Sequence, residues 1–309
     1  MVDSQRTAPA APSTQPSHSS HSGSPHGTSP HGADAEAELL QGWPFPCVLG
    51  VTDAQADLHH EGDPTRVLPL ASVSKSIAAL AALVAVDRSL VDLEEPAGPE
   101  GATVRHLLAH TAGYAFEGED PIAKPGARRI YSNTGFEVLG AHLTEAIGID
   151  FPEWVEQEVV QPLGLIDLDV SGSPAAGYRG SIRDLLAIGR ELLEPTLISA
   201  DLAAEAQSVQ FPGLGGILPG YGRQKNNDWG LGFEIRDGKD PHWTGATFSA
   251  RTFGHFGQSG SFLWVDPEVG LAAAFLGEKP FGEEHVERWP ALTDAIRSRF
   301  AGQGGEQGA

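Results

Sequence analysis

The chain has 309 residues, of which 40% are hydrophobic and 20% charged, and these fractions are typical of a folded globular protein rather than a disordered or fibrous one. Forty-one acidic residues against 20 Lys and Arg give a net charge of -21, which repels phosphate backbones and anionic membrane surfaces. We therefore expect neither nucleic acid nor a membrane as a partner. The single cysteine, Cys47, excludes an internal disulfide, and we expect it to lie in the core.

The first segment, residues 1–34, consists mainly of Ser, Pro, His, Gly, Thr and Ala. It cannot bury enough apolar surface to offset chain entropy, so it is predicted to be a disordered tail, as is 303–309. The first tail contains four histidines: His18, His21, His26 and His31. We assign no metal site to them, because polar tails that merely contain histidine are much commoner than metal sites. Since no secretory signal and no long apolar stretch is found, a cytoplasmic protein is expected.

The first predicted elements of the folded region are a short helix over 35–40 and two strands, 47–52 and 56–60, around a turn at Asp53. The sequence SVSKSIAALAALVAVDRSL follows, from Ser72 onward. It is apolar nearly all round, which predicts a buried central helix. The middle of the chain then alternates helices with Gly/Pro loops, and the predicted helices are 104–110, 134–147, 151–160 and 182–193.

The last third reads as strands over 229–236, 261–265 and 271–276, followed by a helix over 284–300. Strands at both ends of the chain with helices between them predict an α+β fold. In this fold the first hairpin and the last three strands form one antiparallel sheet flanked by terminal helices. The folded domain would cover 35–302, with sheet regions 35–71 and 229–302 and an inserted, mostly helical region over 72–228.

A candidate nucleophile lies at the start of the predicted central helix. Ser72 and Lys75 are three positions apart and share a helix face, and the helix N-terminus favours developing negative charge. The apolar flanks predict that Lys75 is at least partly buried, where a lysine needs a partner or loses its charge. Serine is common in this chain, so the spacing also arises by chance, and the alternative is an ordinary capped helix at the surface.

The second candidate group is Tyr131-Ser132-Asn133, directly before the predicted helix 134–147. A phenol near a lysine can be held as phenolate and act as general base, and an amide two residues on can bind a substrate carbonyl. Tyr and Asn are rare in this chain, which makes this signal stronger than the first. The alternative is a turn in which Asn133 caps the following helix.

The third candidate group is His255-Phe256-Gly257, directly before the predicted strand 261–265, which we expect at an edge of the sheet. Gly257 would allow a close backbone approach there, and the backbone amide of Gln258 could donate to an oxyanion. Position distinguishes this triplet from the other His-x-Gly triplets of the chain, since none of those precedes a late strand.

Taken in this order, the three groups resemble the serine hydrolases of the β-lactamase and penicillin-binding-protein superfamily. The resemblance is specifically to the class C-like group, which includes DD-peptidases, D-amino-acid amidases and family VIII esterases, and it spans about residues 42–300. The matching segments are ASVSK around Ser72, LLAHTAG from Leu107, PGARRIYSNTGFEVLG from Pro125, PLGL from Pro162 and GHFGQSGSFLWVDPEVGLAAAFL from Gly254.

This resemblance implies that Ser72 is the acylated nucleophile, that Lys75 activates it and that Tyr131 is the general base or a proton shuttle. It also implies substrate-binding roles for Asn133, His255, Gly257 and Gln258. The oxyanion hole would consist of the backbone amides of Ser72 and Gln258. No cofactor and no metal is expected for this chemistry.

One departure from the family pattern bears on the substrate. The β-lactamases usually carry Lys-Thr/Ser-Gly at the third motif, where a cation and a hydroxyl hold the antibiotic's carboxylate, whereas here His255 and Phe256 stand in their place. We therefore expect small esters, amides or peptides as substrates rather than β-lactams. The alternative is a catalytically silent relative that binds a peptide or a cell-wall fragment. The sequence favours no particular oligomeric state.

Other features have simpler interpretations. His106 and His110 lie one turn apart, but no third ligand matches their spacing, so we expect hydrogen-bonded structural roles and no metal. The chain contains no Gly-x-Ser-x-Gly, which argues against an α/β-hydrolase. Three aromatic residues lie near a Gly-rich stretch, 213–222, that could border a pocket: Tyr221, Trp229 and Trp243. Pocket lining and sheet packing are equally compatible with them.

Overall fold

The computed structural model describes residues 38–302, and antiparallel strands from both ends of this range form its main sheet. In chain order the strands are β1 (Cys47–Thr52), β2 (Asp57–Glu61), β3 (Leu68–Pro69), β4 (Arg179–Gly180), β5 (Gly216–Leu218), β6 (Gly222–Gln224), β7 (Glu234–Ile235), β8 (Phe253–Gly257), β9 (Ser261–Asp266) and β10 (Leu271–Gly277). The main sheet has the order β2-β1-β10-β9-β8-β7, while β3 pairs with β4 and β5 with β6. The predicted α+β architecture is confirmed.

The helices of the described range lie mostly between the two groups of sheet strands. They are α1 (Ser74–Asp87), α2 (Val104–Leu108), α3 (Asn133–Ile147), α4 (Phe151–Val155), α5 (Gln161–Leu163), α6 (Ile182–Leu193), α7 (Ala200–Ala206) and α8 (Glu283–Phe300). A 3-10 turn over Ala71–Val73 leads into α1, and a π-helical turn over Glu156–Val160 joins α4 to α5.

The sheet is covered on both faces because its central strands bury side chains of alternating direction. In β10, Phe275 points into the aromatic cluster under α8, whereas its neighbours Ala274 and Leu276 belong to the larger core on the other side. On that side α6 packs against β1, β9 and β10. The fully buried face of α8 carries Trp289 and Ile296. This alternation is the period-two pattern of a strand buried on both faces.

Helix α1 is the buried central helix that the sequence predicts. Every residue from Ser74 to Ala85 is buried, including the charged Lys75. Small Ala side chains allow neighbouring elements to pack closely around it, and Trp154 donates its indole N–H to the backbone carbonyl of Ala81. The site residues at its N-terminal end are therefore held by the core of the molecule.

The predicted helix over 35–40 is wrong where it can be compared. Residues 39–42 form a turn rather than a helix. Residues 35–37 lie outside the described residues, as do the predicted tails 1–34 and 303–309 and thus the four tail histidines. The Glu61 carboxylate accepts hydrogen bonds from the backbone N–H groups of Leu39 and Leu40. These bonds replace the ones that a helix would supply.

Two further differences concern the last third of the chain. Only Glu234–Ile235 of the predicted strand 229–236 is extended, because the chain folds back at Gly232, where φ is +90° and the N–H of Gly230 bonds to the carbonyl of Phe233. Strand β8 is absent from the prediction. As a result β9 lies between β10 and β8, and the expectation that it forms an edge of the sheet is wrong.

The single cysteine lies at the margin of the core. Cys47 lies half-buried at the start of β1 rather than deep in the core, and burial raises the pKa of its thiol to about 12. Within residues 38–302, no helix has the length and apolar character needed to cross a bilayer.

Candidate active site

A tightly held turn presents Ser72 at the entrance to α1. Ala71, which precedes it, has φ +44°, a left-handed conformation that is unfavourable for a residue with a side chain. Leu70 is anchored on both sides: its N–H donates to the carbonyl of Tyr178 (2.9 Å), and its carbonyl accepts from the hydroxyl of Ser261 (2.7 Å). These contacts hold the strained backbone in place, as is often seen at functional sites.

The amine of Lys75 reaches three oxygen atoms. Its Nζ lies 2.7 Å from Asn133 Oδ1, 2.7 Å from the backbone carbonyl of Ala175 and 3.5 Å from Ser72 Oγ. A neutral amine has two N–H donors and one lone pair. Since Asn133 and Ala175 can only accept at these atoms, they take the two N–H groups, and the lone pair is left facing the Ser72 hydroxyl.

Burial favours the neutral form of the Lys75 amine. Lys75 has no exposed surface, and desolvation lowers its pKa from 10.5 to about 7, against a smaller opposing effect of the Glu137 charge. A lysine with a pKa near neutrality can exchange protons at physiological pH. The geometry and the charge state therefore both suit Lys75 as a base for Ser72.

Tyr131 lies against this pair. The Lys75 Nζ stands 4.6 Å from the centroid of the Tyr131 ring. Burial raises the pKa of Tyr131 above its usual range, and the nearby Ser72 side chain partly opposes this rise. The Tyr131 hydroxyl forms no well-formed hydrogen bond within residues 38–302. Tyr131 is therefore a neutral phenol near pH 7, not the phenolate that we considered. A neutral phenol can donate a proton, which is the property that a proton shuttle needs.

The segment around Tyr131 is fixed by Ser132, which caps α3. The Ser132 hydroxyl accepts from the N–H of Gly135 (3.0 Å) and donates to the carbonyl of Ala115 (2.6 Å). The alternative interpretation of Asn133 as the capping residue is therefore wrong. Asn133 instead begins α3 and directs its side-chain oxygen to Lys75.

We expect Ser132→Ala to lower the free energy of unfolding by about 1 kcal/mol, as loss of a helix cap usually does. We also expect kcat/KM for a p-nitrophenyl ester to fall about tenfold, because the residues on both sides of the cap lose their anchor. Urea unfolding and steady-state kinetics measure these effects. Ser181→Ala is the matched control, since Ser181 caps α6 in the same way by accepting from the N–H of Asp184. It should lose stability alone, and an equal loss of activity in both variants would contradict the local effect.

His255 lies inside strand β8 rather than before a strand. Its ring centroid is 5.6 Å from that of Tyr131, and its Nδ1 is 2.6 Å from the carbonyl of Phe256. That carbonyl can only accept, so Nδ1 carries the proton and Nε2 is an acceptor. Burial and the nearby Lys75 lower the pKa of His255 to about 3, so the ring is neutral at physiological pH. The third motif thus offers no cation, as the sequence predicts.

Behind Tyr131 lie two aromatic residues, His110 and Trp229. The rings of His110 and Tyr131 are 4.7 Å apart, and Trp229 packs edge-on against His110 at 4.5 Å. His110 accepts a hydrogen bond at Nδ1 from the N–H of Ser132 (3.2 Å). Burial holds the pKa of His110 well below its usual range. His110 therefore has the hydrogen-bonded structural role that we predicted, and it supports the Tyr131 segment directly.

Gly257 allows β8 to pass close to the turn at Ser72. A Cβ atom at this position would lie 2.5 Å from the carbonyl oxygen of Leu70 and 3.0 Å from the backbone nitrogen of Ser72. No side chain fits in that gap, as we expected for a close backbone approach. Gln258 follows at the end of the strand and lines the same cavity as Ser72.

The site opens into a cavity of about 980 Å³. Among the predicted site residues, Ser72, Tyr131, His255 and Gln258 line it. Lys75, Asn133 and Gly257 do not appear in its wall, and the contacts of Lys75 and Asn133 are with each other and with neighbouring backbone. Residues 213–219 form one side of the cavity and Trp229 another, whereas Tyr221 and Trp243 pack against Phe256 in the sheet.

Sequence reasoning missed several parts of this site. The carbonyl of Ala175 carries no sequence signal, because every residue has one. Arg128, Arg223 and Phe116 also line the cavity and were not singled out. The Arg128-Arg129 pair, which only Ile130 separates from Tyr131, was the available signal for the first of these. Within residues 38–302, no group of three or more His, Cys, Asp or Glu side chains could hold a metal ion.

Comparison with known proteins places the chain in a family. A family model described as Beta-lactamase matches residues 39–297. A β-lactamase (Mb2281c) from Mycobacterium bovis shares 47% identity and a TM-score of 0.84, over 85% of this chain and 98% of that one. EstCE1, a hydrolase with promiscuous acyltransferase activity, aligns at 18% identity and TM-score 0.67, over 81% and 93% of the two chains.

A novel penicillin-binding-protein homologue from Caulobacter crescentus aligns at 17% identity and TM-score 0.65, over 82% of this chain and 92% of that one. At such identities these last two likenesses show the fold alone. The family model covers most of the chain. The Mycobacterium bovis structure supports the same assignment, because its identity of 47% is much higher than that of the other two structures. The protein therefore belongs to the beta-lactamase family of serine hydrolases.

Proposed function

We propose that this protein is a serine hydrolase that forms an acyl-enzyme on Ser72 and acts on small esters, amides or peptides rather than on β-lactams. The arrangement of Lys75 carries the proposal: two oxygen acceptors lie 2.7 Å from its Nζ, and Ser72 Oγ lies 3.5 Å from the same atom. In the neutral amine the two acceptors take the N–H groups, which leaves the lone pair for the Ser72 hydroxyl. A binding module would gain nothing from a buried lysine whose pKa lies near 7 beside a serine.

In the proposed reaction, the Ser72 Oγ–H proton passes to Lys75 Nζ while Oγ attacks the substrate carbonyl. The tetrahedral oxyanion is stabilised by the backbone amides of Ser72 and Gln258, and each such donor is worth roughly 3 kcal/mol of barrier where it has been removed. The neutral Tyr131 phenol passes a proton to the leaving group. Lys75 then returns its proton to the Tyr131 oxygen and is neutral again. Water, or a second acceptor, attacks the Ser72 ester and gives its proton to Lys75, which passes that proton to Ser72 Oγ as the acyl product is released.

Labelling with a fluorophosphonate probe tests the acyl-enzyme step. We expect a single adduct on Ser72, mapped by mass spectrometry, and none in Ser72→Ala. Ser76→Ala is the matched control, because Ser76 lies on the same helix with a buried hydroxyl that has no hydrogen-bond partner among the described residues. It should be labelled like the wild type. No adduct under conditions that label a known serine hydrolase would favour the silent binding module.

A substrate panel tests the preference. We expect p-nitrophenyl acetate and butyrate, and D-alanine p-nitroanilide, to be hydrolysed faster than nitrocefin, because the neutral His255 offers no cation to a β-lactam carboxylate. β-Lactam hydrolysis is the second candidate, and the similarity to a β-lactamase from Mycobacterium bovis favours it. Faster turnover of nitrocefin than of the esters would establish that candidate instead.

A further inference from the structure

The cavity at Ser72 is cationic, although the chain as a whole is strongly acidic. The net charge is -21, yet the described cavity wall contains three arginines, Arg128, Arg129 and Arg223, and one carboxylate, Glu234. The negative charge of Glu234 is already compensated by neighbouring side chains. The carboxylate accepts from the indole of Trp243 (2.6 Å) and lies 3.3 Å from Lys239 Nζ, with His242 as a third partner.

The three arginines differ in what they bind. Arg129 is buried and donates to backbone carbonyls of Ala109, Gln210, Phe211 and Asn227. Burial lowers its pKa to about 10, so it remains charged at neutral pH. Arg128 and Arg223 are exposed, and the side chain of neither forms a hydrogen bond or an ion pair with any residue in the range 38–302. Their guanidinium groups are free to bind a ligand.

The two exposed arginines belong to segments that are packed together. Arg128 precedes Arg129, and β5 lies against that segment so closely that a Cβ on Gly216 would be 2.8 Å from the carbonyl oxygen of Arg129. Arg223 is on β6, which pairs with β5. Both arginines therefore lie on one side of the cavity, formed by the Arg128 segment and the β5–β6 ribbon. The third motif, with His255, belongs to a different element, the main sheet.

Apolar residues lie beside these arginines. Ile217 pairs directly with Arg223 across the ribbon, so their side chains share a face, and Ile217 is 67% exposed. Phe116, 50% exposed, stacks on Tyr131 at 5.9 Å. Leu214 and Leu218 also line the cavity. A substrate reaching from Ser72 to the arginines would cross an apolar surface before meeting positive charge.

We propose that Arg128 and Arg223 form a carboxylate-binding subsite that selects acyl donors bearing an anionic group at the far end of an apolar spacer. The inference deepens the proposed hydrolase function and rests on it. A guanidinium binds a carboxylate in a planar, bidentate arrangement, and an anion is steered toward it by charge. The substrate class is thus the monoesters of long dicarboxylic acids, or acyl compounds of similar shape, whose carboxylate is remote from the scissile carbonyl.

A matched pair of esters tests the subsite. The anionic member is mono-p-nitrophenyl suberate, and the neutral member is its methyl ester. We expect wild-type kcat/KM to be about tenfold higher for the anionic ester, because a bidentate contact with a carboxylate remains favourable even when it is exposed. This preference should shrink as salt is added, since salt screens the charges. In the double variant Arg128→Ala/Arg223→Ala the ratio should fall to about one, with the neutral ester hydrolysed as before.

Arg251→Ala is the control for net charge, since Arg251 is exposed and lines no part of this cavity. It should keep the wild-type ratio. A wild-type ratio of one or less, or an equal loss in the Arg251 variant, would overturn the subsite while leaving Ser72-dependent hydrolysis of the neutral ester in place. If neither ester is hydrolysed, the proposed function fails, and calorimetric binding of suberate still decides the subsite: it should be weaker in the double variant than in Arg251→Ala, and absence of wild-type binding refutes it.

Discussion

Replacing Lys75 with methionine is expected to lower kcat/KM for p-nitrophenyl butyrate by about 10³-fold, which is a typical contribution of a positioned general base. The wild-type rate should rise with pH around a midpoint of about 7, because deprotonation of the buried amine frees the lone pair that faces Ser72. The variant should lack this step. Lys279→Met is the control, since Lys279 forms an exposed pair with Glu284. A wild-type profile without a step near neutrality would contradict the role of Lys75.

The same substitution should change how stability depends on pH. The pKa of Lys75 falls from 10.5 in the unfolded chain to about 7 in the folded protein, so between these values the unfolded state binds more protons. The wild type should therefore gain stability relative to Lys75→Met by about 1.4 kcal/mol for each pH unit above 7. Urea unfolding at several pH values between about 7 and 9 measures the slope. A difference that does not change with pH would show that Lys75 is not desolvated.

Replacing Arg129 with methionine should have the largest effect on stability. Its guanidinium is buried and bonds four backbone carbonyls from three separate segments, at Ala109, at Gln210 and Phe211, and at Asn227. Without these donors the carbonyls remain buried and unsatisfied, and we expect the free energy of unfolding to fall by about 3–5 kcal/mol.

The neighbouring residue provides the control for this variant. Arg128→Met should change the free energy of unfolding by less than about 0.5 kcal/mol, because Arg128 is exposed and has no bonding partner among the described residues. Urea unfolding of both variants measures the difference. Similar stabilities for the two would mean that the carbonyls around Arg129 find other donors.

The parts of the site that depend on spacing could be predicted from the sequence. Ser72 and Lys75 meet because three positions on a helical turn share a face, and the apolar run after them predicts that the lysine is buried. The structure also brings Tyr131 to this pair, which spacing alone does not require. We predicted that Tyr131 belongs to this site because its segment resembles that of known serine hydrolases.

Other parts depend on tertiary packing and could not be predicted. Strand β8 has two glycines in five residues and lacks the alternation of a half-buried strand, so its pairing with β7 and β9 leaves little trace in the sequence. The acceptor for the second N–H of Lys75 is a backbone carbonyl, at Ala175. The cationic side of the cavity arises only when the Arg128 segment and the β5–β6 ribbon come together.

The bond between Ser261 and Leu70 links residues 191 positions apart and holds the turn that presents Ser72. Strand β1 likewise pairs with β10 from the opposite end of the folded range. Such distant contacts form late and slowly in folding. Catalytic competence should therefore emerge only as the final step of folding, and recovery of esterase activity after dilution from urea would report completion of the native sheet.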